Sequence, residues 1–236
     1  MLVLVVNAGS SSLKYQLMDT ESEIVWANGL VERIGDEGSS LTHRTRIRGG
    51  AEAPMVATTT ALSLADHSEA FHAVTDAFAE TGAVAEVGEL AGVGHRAVQG
   101  ADLFSEPTVV TPEVIEVIRE LIPLAPLHNP ATVAGLESAM AAFPDVPHVA
   151  VFDTAFHSTI PAPAYTYAID QKVAREHRIR RYGFHGTSHK YVTAKAAEVL
   201  GKPVDAVDLV TLHLGNGASA CAVRGGRSIE TSMGLT

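Results

Sequence analysis

The stretch "VVNAGSSSLKYQL", Val5 to Leu17, sets Asn7, three consecutive serines and Lys14 between two apolar runs. Glycine lets backbone approach a ligand closely, small hydroxyl side chains donate hydrogen bonds, and successive turn N–H groups form a nest for an anion. Lys14 adds a point charge suited to phosphate. The same composition also makes an ordinary hairpin turn, and both readings stand at this level. It is not a P-loop, because G-x-x-x-x-G-K-[ST] is absent and a strand, not a helix, follows. A second stretch, "LHLGNGASACAV", repeats the order strand, Asn/Gly/Ser turn, strand. Each has serine three residues after asparagine, Asn7 with Ser10 and Asn216 with Ser219, which points to two related half-structures facing one ligand.

Other residues carry weaker signals. Arg96, just beyond an apolar strand, can grip a carboxylate with two parallel hydrogen bonds, though a lone arginine more often makes a surface ion pair. The surrounding "GVGHRA" formally matches a dinucleotide fingerprint but leads into a loop where that motif must open a helix. His128 stands at a helix start, where histidines often only cap or pack. Asp153 ends a buried strand, a common position for a functional carboxylate in open α/β sheets and also for a turn or cap. "RRYGFHGTSH" puts Arg180, Arg181, His185 and His189 within ten residues. The spacing of His185 and His189 would suit a metal on one helical face, but no third ligand is evident and Gly186 argues against a helix through His185. A histidine in a glycine turn beside Phe184 suits charge stabilisation better.

These residues need strands and helices to hold them. Leu2–Val6 reads as a strand buried on both faces and Leu13–Met18 as its partner; Ile24–Leu30 and Leu41–Ile47 continue the strands, with a turn at Gly35–Ser40 between them. Asp66 and Glu69 have capping-box spacing ahead of a helix whose Ala70, Phe71, Val74, Ala77 and Phe78 share a face. Thr111-Pro112-Glu113 and Asn129-Pro130 open two more helices, the latter with Val133, Leu136, Met140 and Phe143 as its core stripe. His148–Phe152 is a short strand. "STIPAPA", Ser158–Ala164, disfavours regular structure and reads as a boundary or hinge. Beyond it come a strand near Tyr165–Ile169, a helix near Thr187–Leu200 and a strand at Leu209–Leu214. The class is α/β.

The 236 residues allow one or two domains with a substantial core. Lysine and arginine number 17 against 27 acidic residues, a net charge of -10, which argues against a nucleic-acid or anionic-membrane partner. Cys221 is the one cysteine, so there is neither an internal disulfide nor a multi-cysteine metal site, as expected of the cytoplasm. No signal peptide or membrane-spanning run is legible.

Taken together, "NAGSSSLK", "HRAVQG", "LHNP", "FDTAFH", "RRYGFHGTSH", "HLGNGAS" and "ETSMGLT", in this order from Asn7 to Thr236, resemble the acetate kinase (acetokinase) family. The resemblance implies a ribonuclease-H-like, duplicated two-domain fold of the actin, Hsp70 and sugar-kinase type. Residues 1–152 would form the first domain, with one phosphate hairpin, and 153–236 the start of a truncated second, with the other. It implies reversible transfer of the ATP γ-phosphoryl group to acetate, giving acetyl phosphate and ADP, with Mg²⁺ or Mn²⁺, in a cytoplasmic homodimer when full length. Asn7 matches the metal-site asparagine, and Ser10, Ser12 and Lys14 the phosphate side. Arg96 matches the acyl-substrate arginine, and Val98, Leu127 and Phe184 the pocket for its methyl group. His128, His185 and Asn216 match residues near the transferring phosphoryl group. His213, Leu214, Gly215, Asn216 and Gly217 match the nucleotide-phosphate loop, and Asp153 the essential aspartate. Gln99 stands where the family usually has His, and Glu230 where it usually has Asp. The chain stops at "MGLT", where the family continues with a second substrate arginine, adenosine-binding segments and a magnesium-site glutamate. It therefore reads as an N-terminal portion. The alternatives are a propionate or butyrate kinase of the same family, or an inactive structural piece.

Overall fold

The computed structural model describes residues 1–46, 53–83 and 90–235. They divide into two compact units.

The first unit comprises 1–96, 109–119 and 127–150. It is built on an antiparallel run of β1 (Leu2–Ala8), β2 (Ser12–Asp19), β3 (Val25–Glu32), β4 (Ser39–Arg46) and β5 (Met55–Leu62). β6 (Leu90–Ala97) lies parallel to β1 on its other side, followed by β8 (His148–Phe152) and the short β7 (Thr108–Val109). The order β5-β4-β3-β2-β1-β6-β8-β7 makes one eight-stranded sheet. Alternation sorts the faces: Leu4, Val6, Leu13, Tyr15 and Leu17 are buried in the main core. Two helices, α1 (His67–Thr81) and α3 (Asn129–Ala142), supply Phe71, Val74, Phe78 and Ala139 to that core, and Phe143, the residue that caps the end of α3, joins them. β1 is therefore not buried on both faces as its apolar run predicts, since Val5 on the opposite face is 41% exposed.

Local chemistry sets the helix starts. Asp66 caps α1 by accepting from the Glu69 amide at 3.0 Å, and Glu69 reaches back to accept from the Ala65 amide at 2.6 Å. The helix closes on Gly82 in the left-handed region, φ 65°. α2 (Pro112–Glu120) and α3 both carry proline in the first turn, where its missing N–H costs nothing. β3 and β4 match expectation within two residues; Ile47, included in the expected strand, lies outside the described residues. β5 was not expected: "MVATTTAL" is β-branched but almost wholly exposed, so it lacks the apolar alternation that marks a half-buried strand.

The second unit comprises 97–108, 120–126 and 151–236. Its sheet is β11 (Arg227–Thr231), β10 (Ala218–Arg224) and β9 (Leu209–Leu214) in that order. α6 (Gly186–Val199) packs on β9, and α4 (Ala162–Tyr165) and α5 (Gln171–Glu176) are short. The expected strand near Tyr165–Ile169 is absent: the chain there leaves α4, whose first turn is started by Pro161 and Pro163, and Tyr165 lies under the Arg180 guanidinium at 3.7 Å. The expected irregular stretch 158–164 instead runs through two helical turns. Among the described residues no helix is long and apolar enough to cross a membrane.

Candidate functional site

In the first unit the β1–β2 turn is held from several sides. Gly9 N–H donates to the Ser12 carbonyl at 2.8 Å, and Ile34 N–H to the Ser11 carbonyl at 3.0 Å. His67, the first residue of α1, donates from Nε2 to the Gly9 carbonyl at 2.8 Å. Asn7 pairs with Lys14 across the ladder, so both side chains share a face, as does Ser12 two residues before Lys14. Val6 pairs with His95 in the parallel ladder; Asn7 and Arg96, one residue further on, both turn to the opposite face. Asn7, Ser12, Lys14 and Arg96 thus gather on one face at one end of the sheet. Ser10 is exposed in the turn itself, and Arg96 lies within β6 rather than beyond it. The "GVGHRA" match is likewise strand throughout. His128 and Leu127 precede α3 and both are exposed, Leu127 at 81%.

In the second unit Asp153 is 1% exposed. Its amide donates to the Ala97 carbonyl at 2.8 Å and its carbonyl accepts from Gly186 N–H at 2.9 Å. The start of α6 is pressed so closely against it that a Cβ on Gly186 would lie 2.2 Å from that carbonyl oxygen. Gly183 (φ 76°) and His185 (φ 60°) are both left-handed, and this double bend delivers Phe184 into the core and His185 onto the cap position of α6. α6 therefore begins after His185, which removes the helical face that a His185–His189 metal pair would need. Val98 is half-buried. Gln99 is fully buried, accepting from Ala101 N–H at 2.9 Å and donating to the Leu235 carbonyl at 3.0 Å. Arg181 pairs with Glu230 at 2.5 Å.

Four histidines cluster beside Asp153. His185 stacks on His213, with centroids 4.0 Å apart and planes at 24°, and His189 meets both His157 and His213 edge-on. His185 Nδ1 lies 2.9 Å from Ser219 Oγ, and His189 Nε2 lies 2.8 Å from the same oxygen. His213 Nδ1 meets Ser188 Oγ at 2.9 Å. His157 donates from Nε2 to the Phe184 carbonyl, so its Nδ1 accepts from Ser228 at 2.8 Å. Burial holds His157 below the ordinary histidine range, and burial with three neighbouring histidines pushes His189 down to about 4, against the pull of Asp153.

The β9–β10 turn, Gly215–Gly217, is closed by Gly215 N–H to the Gly217 carbonyl at 3.0 Å, and Asn216 is exposed at its tip beside the exposed Leu214. A Cβ on Gly217 would lie 3.2 Å from His185 Cε1 and Nε2, so the glycine backs directly onto that ring. Both stretches are hairpins, as the sequence echo predicts, but the serine register does not carry over. Ser10 sits in its turn, while Ser219 sits buried in β10, paired with His213. The hub made by Ser219, His189 and Thr211 has no counterpart among the sequence motifs, because its members lie on β10, α6 and β9 with no shared spacing.

Asn7 offers an amide oxygen, a hard donor suited to Mg²⁺, which keeps most of its coordination for water and substrate phosphates. Among the described residues no group of three or more His, Cys, Asp or Glu could hold a metal ion. A cleft of about 380 Å³ in the second unit, lined by Ser105, Phe156, Lys190 and Arg227 among others, holds none of the expected site residues.

Residues 2–236 match the model of the acetokinase family. An acetate kinase of Clavibacter sepedonicus is 58% identical over 235 residues, 100% of this chain and 57% of that protein. The crystal structure of Porphyromonas gingivalis acetate kinase superposes with a TM-score of 0.90 at 40% identity, covering 100% of this chain and 58% of that one. A propionate kinase from Francisella tularensis gives 0.89 at 37%, again over 100% and 58%. The chain thus spans somewhat more than half the length of the relatives it matches, and its fold is that of these kinases.

Proposed function

As this chain belongs to the acetokinase family, we propose that it carries part of the machinery for reversible transfer of the ATP γ-phosphoryl group to acetate. The observation that carries this reading is the gathering of Arg96, Lys14, Ser12 and Asn7 on one face at one end of the first sheet. A guanidinium fitted to a carboxylate lies beside an ammonium and hydroxyl fitted to phosphate.

Acetate is ionised at pH 7, since carboxyl groups titrate near ~4. Its oxygen attacks the γ-phosphorus in line while the bond to the ADP oxygen breaks, and no general base is required. The protein's task is to orient two anions and offset charge on the phosphoryl oxygens. Arg96 orients acetate, with Val98, Leu127 and Phe184 as the apolar residues for its methyl group. Lys14, Ser10 and Ser12 bind phosphate in the first unit. In the second, the 213–217 turn binds phosphate, with Asn216 at its tip and His185 behind it; His128, which belongs to the first unit, serves the transferring group. Asp153 orients magnesium or an arginine rather than shuttling a proton, since the attacking carboxylate is already ionised, and its charge favours the protonated forms of His157 and His189. When Mg²⁺ or Mn²⁺ is bound with ATP it screens the phosphate charge, and Asn7 is the residue that would hold it. A cytoplasmic setting fits the single, buried Cys221, and a homodimer is the assembly expected of the full-length protein.

A coupled assay of acetyl-phosphate formation, run with acetate, propionate and butyrate, tests the reading. Arg96→Ala is expected to raise the KM for acetate far more than that for ATP; an unchanged acetate KM would sink the assignment. Turnover of propionate ahead of acetate would move the protein to the related activity, and no turnover of any acid would leave it a structural piece.

A further inference from the structure

Ser219 has one hydroxyl proton and two histidine nitrogens to serve. Its Oγ lies 2.9 Å from His185 Nδ1 and 2.8 Å from His189 Nε2. A hydroxyl that donates to one ring must accept from the other, so one of these nitrogens carries a proton and the other is bare. The direction is set one step back. His189 Nδ1 lies 2.8 Å from Thr211 Oγ1, whereas the other acceptor for the Thr211 hydroxyl, the Cys221 carbonyl, is 3.5 Å away. Short bonds throughout require Thr211 O–H to donate to His189 Nδ1. His189 Nε2–H then donates to Ser219, and Ser219 O–H donates to His185 Nδ1.

His189 is suited to this role because burial and its histidine neighbours keep it neutral, with a single ring proton. His185 is left with its own proton on Nε2, the edge of the ring that meets Gly217 in the β9–β10 turn. The stack on His213 at 4.0 Å holds the ring plane. We propose that Ser219 and His189 are positioning residues for His185, fixing the tautomer that presents Nε2–H toward the glycine turn as a donor for a phosphoryl oxygen. A neutral donor there stabilises charge as it develops on the phosphoryl group without first taking up a proton from solvent. This use of the donor rests on the phosphoryl-transfer reading; the tautomer itself does not.

Long-range ¹H–¹⁵N correlation spectra of the ¹⁵N-labelled chain at pH 7.5 test the tautomer, and turnover in the acetyl-phosphate assay tests its use. The expected result is a single His185 tautomer with bare Nδ1 and protonated Nε2. Ser219→Ala should give a mixture of His185 tautomers and about a tenfold loss of kcat, the scale of one hydrogen bond, with the KM for acetate unchanged. Ser219→Thr, which keeps the hydroxyl on a strand, should restore both. A proton on His185 Nδ1 in the unsubstituted chain overturns the proposal. So does a Ser219→Ala spectrum identical at His185, or a loss that Ser219→Thr fails to repair. If no acid is phosphorylated by the unsubstituted chain, the functional reading fails while the ring spectra still decide the tautomer.

Discussion

Gly135 in α3 approaches Ala8 at the end of β1 so closely that a Cβ on the glycine would lie 2.5 Å from the Ala8 Cβ. The helix thereby bears on the strand end that leads into the Gly9–Ser11 turn, and no side chain can be added without moving one of them. Gly135→Ala should destabilise by about 1–3 kcal/mol through overpacking, read as a lower urea midpoint. Gly94→Ala is the matched control: a Cβ added there would meet nothing within 4 Å, so its midpoint should stay level or rise.

Much of this was legible from the residues. The Asp66/Glu69 box, the prolines opening α2 and α3, and the glycine-flanked turns each rest on interactions a few residues apart, which one sequence displays directly. What stayed hidden depends on partners distant in the chain. β9 illustrates this: its apolar Val210, Leu212 and Leu214 point outward, while Thr211 and His213 face α6. Hydrophobicity alone would assign those faces the other way round. Ser219 drew notice as the echo of Ser10, yet its role as a bridge appears only once α6 and β10 are adjacent. The motifs named the candidate residues, but the hydrogen-bonding direction among them needed the fold.

Asp66→Ala removes the oxygen that accepts the Glu69 amide and leaves the Glu69 bond to the Ala65 amide as the one side-chain bond capping this helix start. The expected cost is about 1 kcal/mol of stability. Asp66→Asn keeps an acceptor and should cost far less. Urea titrations of the two variants side by side check this, and equal losses would show that the charge, not the cap geometry, matters.

Five buried histidines set an acid limit. Burial lowers the pKa of His43, His148 and His157, and takes His95 to about 3 and His189 to about 4. These folded values lie below the ~6.5 of an exposed histidine, so between them the unfolded chain binds protons that the folded chain refuses. Stability is therefore level above about pH 6.5 and falls as the pH drops toward 4, by on the order of 2 kcal/mol at pH 5 for each of His95 and His189. The urea midpoint at pH 5 should be clearly below that at pH 7.5. His95→Gln, which keeps a donor for His148 Nδ1, should flatten the difference.

Gly217→Ala tests the packing of the second turn against the His185 ring. The added Cβ would lie 3.2 Å from Cε1 and Nε2, tighter than ordinary contact, so the ring must yield by a few tenths of an ångström. It has little room to do so, with Nδ1 bonded to Ser219 and its face on His213. The glycine is exposed in a turn and its φ lies outside the left-handed region, so alanine is acceptable to the backbone and global stability should change by less than about 1 kcal/mol. The expected signature is a displaced His185 resonance and reduced acetyl-phosphate formation with a nearly unchanged urea midpoint. A large fall in midpoint would instead make Gly217 a structural requirement of the hairpin, and wild-type turnover would show that the ring tolerates the shift.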